Sequence, residues 1–122
     1  MIVLDASAIL AFLQDEPGAA RVEEGLSEGA AVGAANWSEV AQKVRSRRGE
    51  WEIVAGLLRG YRLQVEPVTA VDAEAAASLW KPASSLSLGD RLCLALGERL
   101  DAPVWTADRE WSRFDRVVLI RG

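Results

Sequence analysis

The 122-residue sequence contains no histidine. That removes the commonest general base and the commonest transition-metal ligand, and with them Ser-His-Asp and Cys-His chemistry. Cysteine occurs once, at Cys93. An intramolecular disulfide is therefore excluded, the usual structural zinc site is excluded, and a reducing cytoplasm is the expected location. No apolar run approaches the roughly 18 residues of a membrane span. Nothing at the start has the pattern of a signal peptide, because Asp5 interrupts the first apolar run. An excess of positive charge is also missing: the formal net charge is −4. This argues against binding nucleic acid by surface electrostatics alone, but not against an enzyme whose carboxylates hold a cation. Any hydrolytic chemistry must rest on carboxylates, with a hard cation on oxygen ligands.

What is present is an α/β alternation. Ile2-Val3-Leu4 is a short uninterrupted apolar run, as expected of a strand buried on both faces, and it runs into Asp5 and a helix over Ala6 to Leu13. Further helices are expected at 19–28, from Asn36 to the basic run ending at Gly49, and at 50–60, 72–80 and 88–100. Strands are expected at 30–34, 63–68, 103–106 and 117–120. Five short apolar runs alternating with helices predict a parallel sheet covered on both faces, in a single domain spanning 1–122. The helix over 50–60 is apolar around a wide arc (Trp51, Ile53, Val54, Leu57 and Leu58), which suits a subunit contact.

Four carboxylates stand out: Asp5, Glu39, Asp90 and Asp108. Each has a structural explanation. Asp5 suits an N-cap, Asn36-x-x-Glu39 and Ser87-x-x-Asp90 have capping-box spacing, and Asp108 can cap the turn before Trp111. Glu39 also suits a pair with Lys43 one helical turn on. Jointly they point further. Asp5 and Asp108 follow strands, and Glu39 and Asp90 fall in first helical turns, so a parallel sheet gathers all four at the rim where ligands bind. Like charges so gathered favour Mg²⁺ or Mn²⁺, which activates water and phosphate without histidine.

Taken together, Ile2-Val3-Leu4-Asp5-Ala6-Ser7, Trp37-Ser38-Glu39-Val40, Ser87-Leu88-Gly89-Asp90 with the following Leu92 to Gly97, and Val104-Trp105-Thr106-Ala107-Asp108 resemble the PIN-domain family. The likeness is greatest to VapC-type toxins of toxin–antitoxin modules, and it covers essentially the whole chain. The resemblance implies a Rossmann-like sheet of order 3-2-1-4-5 and a Mg²⁺- or Mn²⁺-dependent endoribonuclease. Asp5, Glu39, Asp90 and Asp108 would be its metal-binding acids, with Ser7 and Thr106 in support. It also implies a homodimer and a VapB-type antitoxin covering the site. Arg45, Arg48 and Arg91 are candidates to contact RNA or that antitoxin. Two other classes remain open: a small Mg²⁺-dependent phosphatase or phosphotransfer domain, although Ser7 stands where such phosphatases want a second aspartate, and a binding module whose acids only cap helices.

Overall fold

The structure, a computed structural model, describes residues 1–122. Five strands, β1 (Ile2–Leu4), β2 (Ala30–Gly33), β3 (Gln64–Glu66), β4 (Val104–Thr106) and β5 (Val117–Leu119), form one sheet in the order β3-β2-β1-β4-β5. Every pairing is parallel, with Val3 opposite both Ala31 and Val104. The helices are α1 (Ala6–Leu13), α2 (Ala19–Glu28), α3 (Ala34–Ser46), α4 (Trp51–Gly60), α5 (Ala70–Ser78) and α6 (Leu88–Leu100), and a 3₁₀ turn spans Arg109–Arg113. No helix is long and apolar enough to cross a membrane.

β1 is the centre, and its two fully buried residues divide the core between them. Successive strand side chains point to opposite faces. Leu4 joins Ile9, Val22, Leu26, Val32, Val40 and Leu58 on one side of the sheet. Val3 joins Cys93, Leu94, Leu96, Val104 and Trp111 on the other. Gly97 lets α6 lie directly on β4, because a Cβ there would collide with Val104.

Three expectations need correcting. Asn36 does not start α3: the helix begins at Ala34, capped by Gly33 without a side-chain bond. β2 passes straight into α3, and Ala34 and Ala35, good helix formers, extend it backwards. α5 begins at Ala70 rather than Asp72, because Thr69 and Asp72 form a capping box in which each bonds the other's backbone N–H at 3.1 Å. β3 is shorter than expected and is an edge strand, with Gln64 and Val65 exposed, so the sheet is not covered there. In α4, Ala55 and Leu58 are buried while Ile53 and Leu57 are 70% and 50% exposed.

Candidate metal centre at the carboxyl edge of the sheet

All five strands run the same way, so their C-terminal ends share one rim, and β1 delivers Asp5 to it. Asp5 is the N-cap of α1 and only 4% exposed. Its Oδ1 accepts from the Ala8 N–H at 2.8 Å and from the Ser7 hydroxyl at 2.7 Å, while Oδ2 accepts from the Thr106 hydroxyl at 2.6 Å. The two hydroxyls are themselves held from the far side: the Ala107 N–H donates to Ser7 at 2.9 Å and the Asp108 N–H to Thr106 at 3.0 Å. Two relays thus run from the backbone after β4, through one hydroxyl each, onto the two oxygens of Asp5. Both hydroxyl protons are committed to the carboxylate, so the 3.2 Å contact between Ser7 and Thr106 has none left while Asp5 is ionised.

Burial nevertheless dominates the titration of Asp5. Desolvation, aided by the charge of Asp90 and opposed by the bonds from Thr106, Ser7 and Ala8, raises its pKa to about 6.

Asp90 is half-buried at the third position of α6. Its Oδ2 accepts from the Ser87 N–H at 2.9 Å, and Ser87 returns the bond to the Asp90 N–H at 3.1 Å. The capping-box spacing at 87–90 is thereby realised. Glu39 lies in the second turn of α3 with an exposed side chain, yet it is anchored: the Asn36 amide donates to its Oε1 at 2.6 Å. It forms no ion pair with Lys43. Asp108 caps the 3₁₀ turn by accepting from the Glu110 N–H at 2.9 Å, and it is exposed.

Cys93, buried beneath the rim, feels three of these acids. Its thiol is raised well above 9, first by burial and then by the charges of Asp5, Asp90 and Glu39, so it stays protonated and inert. No three acidic side chains stand close enough here to enclose one ion. The set is an open rim rather than a closed cage. Its chemistry still fits a hard divalent cation: the donors are carboxylate oxygens, the innermost is desolvated beside a like charge, and the outer two have exposed side chains. Asp5 and Asp90 would be the inner ligands, with Glu39 and Asp108 reaching in from solvent.

The basic candidates fall elsewhere. Arg91 is half-buried and donates to the Ala76 carbonyl at 2.9 Å, tying α6 to α5. Arg45 is exposed in the last turn of α3, about 9 Å along the axis beyond Glu39 at 1.5 Å per residue, and Arg48 is exposed just past the end of that helix. The role of Asn36 at the rim is hidden in the sequence, where it reads as a cap. The i, i+3 spacing to Glu39 is the available clue.

The model of the PIN domain matches residues 2–117. The chain belongs to the PIN-domain family. PIN domains are typically nucleases and generally metal-dependent. No curated protein matches the sequence significantly. Among solved structures, this PIN domain is similar to a toxin–antitoxin complex from Klebsiella pneumoniae, with a TM-score of 0.80 and 16% identity over 98% of both chains. It is similar to VapC20 of Mycobacterium tuberculosis, a sarcin–ricin-loop-cleaving toxin, at 0.73 and 17% identity over 93% of this chain and 94% of that one. It also resembles VapBC2 from Rickettsia felis, bound to a DNA fragment from its promoter, at 0.69 and 18% identity over 98% and 97%. At these identities the likeness shows the fold.

Proposed function

We propose that this PIN domain is a metal-dependent endoribonuclease, the toxin of a type II, VapBC-like toxin–antitoxin module. The observation that carries the reading is the buried, hydroxyl-bridged Asp5, whose pKa of about 6 is raised in part by Asp90, at a rim where Glu39 is held against Gly89 and the Asp108 backbone bonds Thr106. Asp5, Glu39, Asp90 and Asp108 would hold Mg²⁺ or Mn²⁺. A cation bound there polarises a phosphodiester and lowers the pKa of a water, which replaces the missing histidine base. Ser7 and Thr106 fix the direction of Asp5, and the open rim leaves room for an RNA strand.

The similarity to toxin–antitoxin structures supports a VapB-type antitoxin as partner. An acidic rim on a chain of net charge −4 suits a basic antitoxin segment lying across it. The exposed Ile53 and Leu57 of α4 suit a homodimer or antitoxin contact, and the setting is the cytoplasm.

The test is cleavage of RNA by purified protein with Mg²⁺ or Mn²⁺ and with chelator, compared with Asp5→Asn and Asp90→Asn. Metal-dependent cleavage lost in both variants is expected. An inactive wild type, or turnover retained in Asp5→Asn, overturns the proposal. One specific observation favours a second reading, a non-catalytic binding module: Asp5, Asp90 and Asp108 all do cap helical turns. Calorimetry with Mn²⁺ separates the two, since pure caps give no saturable binding.

A further inference from the structure

Glu39 presents a puzzle that its own helix does not resolve. An exposed glutamate in the second turn of α3 should be a solvated rotor, losing its rotamer freedom only at a cost. Two features outside its own side chain hold it. Asn36, one turn earlier and 2% exposed, donates its amide to Glu39 Oε1 at 2.6 Å and to the Gly89 carbonyl of α6 at 3.3 Å. Both partners are acceptors, so the amide can face them in only one sense, and its Oδ1 is left buried with no donor. Gly89 supplies the seat. A Cβ there would lie 2.9 Å from Glu39 Oε1 and 3.3 Å from its Cδ, so any larger residue would push the carboxylate off the first turn of α6. That turn also carries Asp90.

Asn36 thus spends its hydrogen bonds on the acidic rim while leaving its own oxygen unsatisfied. A residue serving only the core would do better as leucine, which fills a similar volume and strands no polar atom. The cost is local, and what it secures is the placement of one carboxylate.

We infer that Asn36 and Gly89 are positioning residues of the rim: together they hold Glu39 beside Asp90, ready to take part in holding a divalent cation. The inference rests on the metal-dependent reading above and names the device that brings its most exposed ligand into place.

The experiment is Mn²⁺ calorimetry on the full chain, with melting followed in parallel. Asn36→Leu is expected to weaken Mn²⁺ binding about tenfold or more, the usual effect of removing a group that orients a ligand, while its melting temperature holds. Gly89→Ala is expected to weaken binding similarly while melting at the same or a higher temperature, since alanine favours a helix over glycine and the displaced atoms are the tip of a flexible side chain. Each effect should vanish in a Glu39→Ala background, because both residues act through Glu39; a merely structural role would persist there. Unchanged Mn²⁺ affinity in Gly89→Ala, or an equal loss with and without Glu39, overturns the inference. Should Asn36→Leu fail to fold, Gly89→Ala carries the test alone. A wild type without saturable Mn²⁺ binding overturns instead the metal-dependent reading, and this inference with it.

Discussion

Thr106 and Asp5, 101 residues apart in sequence, are joined by a 2.6 Å hydrogen bond buried at the junction of β4 and β1. Thr106 is wholly buried, and its hydroxyl accepts from the Asp108 N–H while donating to Asp5 Oδ2. One hydroxyl therefore orients the innermost acid of the rim and fixes the backbone from which the outermost one projects.

Thr106→Val keeps the shape and removes that hydroxyl. Loss of a bond to a charged group, with the Asp108 N–H left unpaired, should cost about 2 kcal/mol at pH 7. Because the Thr106 bond lowers the Asp5 pKa, its loss moves that pKa above about 6. The acid limb of the RNA-cleavage profile should shift to higher pH by the same step. Chemical denaturation at pH 5 and pH 7 should show the larger deficit at pH 7, where Asp5 must carry charge.

Asp5→Asn separates activity from stability. The Asp5 pKa is raised on folding from 3.8 to about 6, so between those values the folded chain binds more protons than the unfolded one. Stability then falls as pH rises through that window. Near pH 7, holding Asp5 ionised in the folded chain costs about 3 kcal/mol, the free-energy equivalent of a pKa raised that far. Asparagine escapes this. Its amide can donate to Thr106, and the Thr106 proton can turn to the Ser7 oxygen 3.2 Å away. Asp5→Asn should abolish cleavage, match the wild type near pH 4 and melt higher than it at pH 7. Mn²⁺ should raise the melting temperature of the wild type at pH 7 and leave that of the variant unchanged.

The strand–helix alternation and the arrival of Asp5 at a sheet edge were legible because buried parallel strands spell short apolar runs, and Val3 and Leu4 are such residues. The strand order came from resemblance, since patterning does not rank strands. The first turn of α3 was illegible for a physical reason. Asn-x-x-Glu has the same spacing as a capping box and as an i, i+3 pair inside a helix, and only the location of Gly33 at the end of β2 decides between them. Arg91 was opaque likewise: its sequence neighbours do not reveal that its guanidinium is turned onto the Ala76 carbonyl of another helix.

Away from the rim, Asp72 and Arg99 clamp α5 to α6. The Arg99 Nε lies 2.8 Å from Asp72 Oδ1, with the Asp72 side chain 3% exposed. Burial alone would raise the Asp72 pKa, but the bonds from Arg99 and from Thr69 outweigh it and lower the value below 3.8. A depressed carboxylate contributes stability above its unfolded pKa and loses it as pH falls through the folded one. Arg99→Ala removes a charge-assisted bond but leaves Asp72 its bond from the Thr69 N–H, and should cost about 2 kcal/mol at pH 7. Asp72→Asn should cost less, since its amide oxygen still accepts a bond. Urea unfolding of both variants at pH 7 and pH 3 checks this, with the Arg99→Ala deficit shrinking in acid.

The outward face of α4 makes the last prediction. Ile53 and Leu57 are one turn apart and expose 70% and 50% of their surfaces, whereas Ala55 and Leu58 anchor the helix to the core. Side chains that touch little in the folded chain contribute little to its stability, so Ile53→Glu and Leu57→Glu should each change unfolding by no more than about 0.5 kcal/mol. Charge placed in an apolar contact between copies would by contrast be desolvated without a partner, at several times that cost. If α4 is where two copies meet, sedimentation should show a dimer for the wild type and a monomer for the double variant, and only the wild type should melt higher as protein concentration rises. A double variant that remains dimeric removes α4 from the interface.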